Sequence, residues 1–340
     1  MLISSRAPLR VSFGGGGTDI PPYSEKEGGA VLNVTINKYA YVFLTPRQDN
    51  LVKIKTLDYP MEITTTIETC HSFNGELDLI KAAISQMNPP AGMDLILFSD
   101  APPGSGLGAS SAITVAILAA LARWLKNALS PWELAEAAFY AEREKASIKG
   151  GRQDQYASVF GGLNWLEFYN DETIVNPPPV SPVILDELQS RLLLCYTGFT
   201  RRSDLIIKQQ MQTYSVNREK ARQNLDQIKE IALQMKKSLL KGDLEEFGSL
   251  LDSGWVVKKR LCPMITNHRI EELYTVGKKY GALGGRILGA GGGGYLLFFC
   301  KKERLATVVE KLEEYGGKVQ DFKFCYHGVQ TRELNKFGGN

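Results

Sequence analysis

The stretch Pro102-Pro103-Gly104-Ser105-Gly106-Leu107-Gly108-Ala109-Ser110-Ser111 lies between two unlike segments. Before it, Asp94 to Phe98 reads as a strand; after it, the apolar run beginning at Ala112 belongs to a helix expected from Ser110 to about Lys126. A strand that passes through alternate glycines into a helix start directs unpaired backbone N–H groups, and the positive end of the helix dipole, at one point. That point suits a di- or triphosphate, with Pro103, Gly104, Ser105, Gly106, Leu107, Gly108, Ala109, Ser110 and Ser111 as its binding residues. The Ser110 and Ser111 hydroxyls could meet a phosphate oxygen or a Mg²⁺ ion, which prefers hard oxygen ligands. A tight strand-to-helix connection capped by serine is the alternative.

Two familiar phosphate loops fit less well. The P-loop ends in Gly-Lys-Ser/Thr, and no lysine occurs between Pro102 and Ser111. Gly104-x-Gly106-x-x-Ala109 does satisfy the dinucleotide fingerprint. A dinucleotide fold would continue into a second strand with an acidic residue about 20 positions on. This chain goes instead into Ser130-Pro131-Trp132-Glu133, a helix-capping box with proline at the first helical position, and its apolar residues run on to about Ala146.

Two acids follow the loop closely. Phosphoryl transfer needs oxygen ligands for Mg²⁺ and a group that orients the attacking hydroxyl. Glu142 suits the first task, although it also reads as one of several solvated acids with Glu133, Glu136 and Glu144. Asp154, after Gly150-Gly151-Arg152-Gln153, suits the second, with loop capping as the rival reading. Leu9, Val11 and Phe13 alternate with Arg10 and Ser12 in an opening strand with one apolar and one polar face, leading into Gly14 to Gly17 and then Thr18-Asp19. An Arg10 side chain near Asp154 would make that acid a weaker base, which a loose transition state tolerates.

The chain has 340 residues, 44% of them hydrophobic, which excludes wholesale disorder and suits two domains, since a single core usually stops growing at roughly 250–300 residues. Further strands are expected at 30–36, 40–45, 52–56 and 62–67. Asn176-Pro177-Pro178-Pro179 marks a connector, so the domains are placed at 1–185 and 186–340. In the second, strands 191–196, 295–300 and 318–324 interleave with helices over 203–240, 243–261, 270–280 and 303–315, giving an α+β class with helices on one face of each sheet. A net charge of +3 is too slight for a nucleic-acid or membrane-surface protein. Five scattered cysteines without C-x-x-C spacing fit a reducing cytoplasm, and three scattered histidines suggest no metal pair. Met1 to Ile20 lacks a targeting pattern, and the most apolar stretch, Ala112 to Ala122, is about half of what crosses a bilayer.

Three separated segments together resemble the GHMP small-molecule kinases. Pro102 to Ala112 resembles that family's phosphate loop; Ala7-Pro8-Leu9-Arg10 with Thr18-Asp19 resembles its opening sugar-kinase segment; Leu288-Gly289-Ala290-Gly291-Gly292-Gly293-Gly294-Tyr295 resembles its third, glycine-rich motif. The resemblance implies a first domain like the second domain of ribosomal protein S5, a ferredoxin-like second domain, and ATP with Mg²⁺ between them. By motif position Ser110 and Glu142 match the magnesium-binding residues and Asp154 the catalytic aspartate. Arg10 matches the basic residue at the transferring phosphoryl, and Asp19 an acid that grips sugar hydroxyls. Thr18, Gly151, Arg152, Gln153, Arg201, Gly291 and Gly292 are further expected substrate contacts. Gly14 to Gly17 departs from the G-E-H of galactokinases.

Within the family, Gly14 to Tyr23 and Gly151 to Ala157 look most like members acting on a heptose 7-phosphate at its anomeric hydroxyl, and L-fucose kinases look similar. A sugar phosphate requires a second anion site, for which Arg201, Arg202, Lys149 and Arg152 are candidates. The expected partner is thus a small sugar phosphate, with self-association as a homodimer left open. A catalytically silent sugar sensor is the competing non-enzyme reading, and RNA binding through an S5-like domain finds little support in the charge.

Overall fold

The structure is a computed structural model that describes residues 1–58, 61–75, 77–170, 172–201 and 203–334. Its strands are β1 (Leu2–Gly14), β2 (Gly29–Pro46), β3 (Leu51–Thr56), β4 (Met61–Thr66), β5 (Met93–Ser99), β6 (Leu163–Tyr169), β7 (Glu172–Asn176), β8 (Leu192–Tyr196), β9 (Ala282–Ile287), β10 (Tyr295–Cys300), β11 (Lys318–Gln320) and β12 (Gln330–Leu334). The helices of the first half are α1 (Tyr23–Glu27), α2 (Asp78–Met87), α3 (Ala109–Trp124), α4 (Pro131–Tyr140), α5 (Gln153–Phe160) and α6 (Pro182–Ser190). Those of the second half are α7 (Ser203–Val216), α8 (Arg218–Lys241), α9 (Leu244–Lys258), α10 (His268–Tyr280) and α11 (Leu305–Glu314).

The class is α+β. One sheet runs β12-β1-β2-β5-β3-β4, with β6 and β7 branching from β2; the other runs β11-β8-β10-β9. β12 leaves the second half of the chain to pair antiparallel with β1, so the last strand belongs to the first sheet. The two strands expected at 30–36 and 40–45 are one, β2, because a register shift opposite Pro8 and Leu9 absorbs Asn37 and Lys38 without ending the ladder. The expected strand 318–324 shortens to Lys318–Gln320. Of the one or two helices expected over 203–240 there are two, α7 and α8, which meet at Asn217.

β1 differs from its expected one-sided pattern. Leu9, Val11 and Phe13 are buried, and so are Arg10 and Ser12, because the supposedly polar face of the strand is roofed by the loop at 102–111. α4 begins at the capping box, with Ser130 accepting from the Glu133 N–H and Glu133 from the Ser130 N–H. It then runs into a π turn, Ala141–Lys145, instead of continuing as regular helix. Such turns alter side-chain direction and cluster at functional sites; Glu142 lies in this one.

One apolar cluster joins the halves, and a second lies mostly within the second half. Phe13 of β1 meets Phe247 of α9 edge-on with ring centroids 5.2 Å apart, and Phe247 meets Phe299 of β10 at 5.8 Å. The five cysteines are buried and unpaired. Among the described residues no helix is long and apolar enough to cross a membrane. Since Phe247 bridges both sheets, Phe247→Ala should cost about 3–5 kcal/mol, seen as a lower urea midpoint. The two halves should still unfold in one transition.

Candidate active site

A cavity of about 870 Å³ opens between the halves and contains most of the expected residues. The loop from Pro103 to Gly108 forms one wall. Gly106 has φ +85°, and a Cβ there would stand 2.6 Å from the Leu288 carbonyl oxygen, so the loop admits no side chain at this point. The Tyr295 N–H donates to the Ser105 carbonyl at 3.0 Å, pinning the loop to β10. α3 starts at Ala109 with Gly108 as its N-cap; no side chain caps it, and its first turn carries no acid. Its first amides are therefore available to an anion in the cavity.

Arg10 holds the loop and Asp154 together. Its Nε donates to Asp154 Oδ1 at 2.8 Å, Nη2 stands 2.7 Å from the same oxygen, and Nη1 donates to the Gly106 carbonyl. The Arg10 backbone N–H donates to Leu107 O at 3.0 Å. Asp154 occupies the first turn of α5, a helix that the sequence reading missed because its Gln-Asp-Gln-Tyr opening carries no apolar period. With the start of α5 behind it and Arg10 beside it, the Asp154 carboxyl group faces the cavity.

Asp19 stands next to this pair. It accepts from the Gly17 N–H at 3.1 Å, the Gln153 N–H at 3.3 Å and Gln153 Nε2 at 3.4 Å. Burial, and secondarily the nearby Asp154 charge, push its carboxyl above the ordinary carboxylate range. Gly151 packs against it so closely that a Cβ would fall 1.9 Å from Asp19 Oδ2. Arg143 Nη2 donates to Gly151 O at 3.0 Å and so fixes that approach.

Glu142 lies at the other end of the loop. Its Oε2 accepts from Ser111 Oγ at 3.0 Å and meets Arg143 Nη1 at 3.2 Å, whereas Oε1 is buried without a hydrogen-bond partner. Gln155 Nε2 donates to Ser111 Oγ at 3.2 Å, fixing the serine as donor to the acid. Burial raises the Glu142 pKa above the usual value, with Arg143 and Ser111 pulling the other way. Ser110 is exposed and lines the cavity.

Several expected contacts do not reach the cavity. Thr18 is wholly buried, its hydroxyl 2.8 Å from Gly15 O and 3.0 Å from Ala30 O, where it fastens the glycine turn to β2. Arg152 pairs with Glu136 at 2.7 Å and stacks over Phe139, drawn outward by that acid and ring. Gly291 and Gly292 pack on Ile265 and Met264, while their neighbours Gly289 and Ala290 line the cavity. The Leu107 side chain is buried in the core. Arg201 lies exposed at the rim, its guanidinium carbon 5.9 Å from the Phe199 ring centroid. Arg202 falls outside the described residues.

Four lining cations went unnoticed in the sequence: Arg143, Lys208, which is exposed and stands 3.9 Å from Asp204, Lys258 and Arg286. Lys258 ends an amphipathic helix, where a lysine ordinarily meets solvent. For Arg286 a signal existed: it follows Gly284-Gly285 and precedes the third glycine motif by two residues.

A glycine loop and an uncapped helix start, facing an arginine-bound carboxylate and a second acid, suit phosphoryl transfer to a small hydroxyl-bearing molecule. The chain belongs to the GHMP kinases: the GHMP kinases N terminal domain matches residues 77–162 and the GHMP kinases C terminal domain residues 235–318. It is 34% identical to the D-glycero-alpha-D-manno-heptose 7-phosphate kinase of Campylobacter jejuni, over 97% of this chain and 98% of that one. It is 28% identical to the L-fucokinase/L-fucose-1-P guanylyltransferase of Bacteroides fragilis, over 92% of this chain but 36% of that larger protein. A crystal structure of a D-glycero-D-manno-heptose 1-phosphate kinase from Bacteroides thetaiotaomicron superposes with a TM-score of 0.82 at 32% identity, covering 98% of this chain and all of that one.

The raised pKa of Glu142 has a consequence for stability. Because the folded state holds this proton more tightly than the unfolded one, stability falls as pH rises from the ordinary glutamate value to the raised one, and the loss persists above it. Without metal, Glu142→Gln should therefore melt at a higher temperature than the parent at pH 7. The gap should close as pH is lowered toward 4.5, the ordinary value. Thermal melts across that range check it; a variant melting lower at neutral pH would contradict the shift.

Proposed function

We propose that this kinase transfers the γ-phosphoryl group of ATP to the anomeric hydroxyl of D-glycero-D-manno-heptose 7-phosphate, giving the 1,7-bisphosphate. The observation that carries the chemistry is the Arg10–Asp154 pair against the Gly106 carbonyl, which sets an acid and a cation beside the phosphate loop. The acceptor assignment is supported by 34% identity to a heptose 7-phosphate kinase along nearly the full length of both chains.

In this reading the loop amides and the start of α3 bind the nucleotide phosphates. Leu77, Leu79, Leu97 and Phe98 line an apolar end of the cavity suited to the base. The residues present fit Mg²⁺: Glu142 Oε1 is a buried carboxylate oxygen with no partner, and the Ser110 and Ser111 hydroxyls stand at the adjacent helix start. No group of three or more His, Cys, Asp or Glu side chains suited to a metal occurs among the described residues, as befits an ion held by one carboxylate together with phosphate and water. When bound, the ion would neutralise phosphate charge.

Asp154 orients the attacking hydroxyl and accepts its proton. An anomeric hydroxyl is more acidic than an ordinary alcohol, so a carboxylate suffices as its base. Arg10 then faces the charge developing on the transferring phosphoryl, a loose transition state that depends on positioning and electrostatics. Asp19, fixed by Gln153 and Gly151, accepts from sugar hydroxyls. We place the reaction in the cytoplasm, where ATP is available and the five cysteines stay reduced.

Incubation with ATP, Mg²⁺ and a panel of sugars should put phosphate on C1 of heptose 7-phosphate. Faster turnover of L-fucose would overturn the acceptor assignment. Asp154→Asn should fold normally and lose roughly 10²- to 10⁴-fold in kcat; unchanged turnover would remove Asp154 from its role.

A further inference from the structure

Lys258 and Arg286 enter the cavity from the second half of the chain, only 4% and 3% exposed. Each uses one donor on a backbone carbonyl: Lys258 Nζ on Gly289 O at 2.5 Å, and Arg286 Nη1 on Phe13 O at 2.7 Å. Arg286 Nε is buried without a hydrogen-bond partner. Neither side chain forms an ion pair among the described residues. Asp154 is already bound by Arg10 at 2.7 Å, and Asp19 is occupied by Gly17 and Gln153.

Two buried cations without a counter-ion are costly unless an anion joins them. We propose that Lys258 and Arg286 form a phosphate subsite that holds the phosphate carried by the acceptor sugar. This rests on the reading of the acceptor as a sugar phosphate and names the residues that would select for it.

Position favours the acceptor over ATP. The nucleotide phosphates have the loop amides and the start of α3 to neutralise them, whereas Arg286 faces Gly16, its Nη2 3.8 Å from where a Cβ there would lie. Gly16, Gly17 and Asp19 line the same part of the wall. The other candidate cations serve less well: Arg152 is turned to Glu136, and Arg201 and Lys149 are exposed, where water screens their charge. Arginine supplies directed, paired donors and lysine a compact charge, a combination suited to a phosphate dianion. Burial, together with the Arg286 and Arg10 charges, lowers the Lys258 pKa well below its ordinary value against the pull of Asp19 and Asp154, and a bound dianion would raise it.

The test compares the intact protein with Lys258→Met and Arg286→Met, using heptose 7-phosphate and the unphosphorylated heptose as acceptors. Removing a buried unpaired charge favours folding, and circular dichroism verifies each variant. The parent should prefer the phosphorylated acceptor. Each variant should lose most of that preference through a rise of about 10²-fold in its KM, with the KM for ATP and turnover of the unphosphorylated heptose changed less than about threefold. An equal fall in kcat on both acceptors, or a rise confined to the KM for ATP, would assign the pair to the transferring phosphoryl and overturn the proposal. If the parent turns over neither heptose, the acceptor reading itself has failed, and inorganic phosphate then judges the subsite. Thermal protection by phosphate that is larger in the parent than in either variant supports it, and equal protection in all three refutes it.

Discussion

The guanidinium of Arg10 is the point on which the site depends. It stands on β1, a strand paired on both sides by β2 and β12, and through one planar group reaches the phosphate loop at Gly106 and α5 at Asp154. A loop made of alternate glycines has little reason of its own to keep one shape. Arg10 supplies that reason from below, through its side chain to Gly106 O and its backbone N–H to Leu107 O. The same group fixes the acid that faces the loop, so cradle and carboxylate share one anchor on a rigid sheet. Preorganisation of this kind limits the reorganisation required when charge moves.

Three carboxylates in one cavity are kept different by their surroundings. Asp154 has a cation in contact; Asp19 has amide donors and a like charge nearby; Glu142 is buried with one oxygen satisfied and one not. Burial raises the pKa of Asp19 and of Glu142, and the nearby Asp154 charge adds to both shifts. The π turn at Ala141–Lys145 contributes directly, since it carries Glu142 and Arg143 together and sets the arginine between that acid and the Gly151 carbonyl. One side chain thereby links Glu142 to the glycine that presses on Asp19.

What could be read from the sequence was whatever a short segment expresses by itself. The cradle was visible because a strand, three alternate glycines and an apolar helix follow one another directly, and the α4 cap because its four residues form a complete motif. The burial of Arg10 was not visible: alternation on β1 gives a polar face, and only the loop folding over that face encloses it. Thr18 and Arg152 were misplaced for a related reason. Their neighbours Asp19 and Gln153 do face the cavity, but Ala30 and Glu136, which draw these two away, are respectively 12 and 16 residues distant. Lys258 and Arg286 lie far along the chain from every acid of the site; nothing local distinguishes Lys258 from a solvated cation, and only the glycines on either side mark Arg286.

The third glycine motif shows how the second half completes the first. Several of its amides are spent on the protein: Gly292 N–H on Ile265 O at 2.7 Å, Gly294 N–H on Phe199 O at 2.9 Å, and Tyr295 N–H on Ser105 O at 3.0 Å. Asn267 Nδ2 donates to Gly292 O at 3.1 Å and Lys258 Nζ to Gly289 O at 2.5 Å. These bonds back the phosphate loop with a second fixed layer, and Gly289 and Ala290 of the same motif line the cavity. Glycine is needed there because two backbones must approach within hydrogen-bonding distance with nothing between them. The motif thus joins the cradle to the element bearing Lys258, and the spacing between the phosphate loop and the buried cations is set by backbone bonds that do not depend on either substrate.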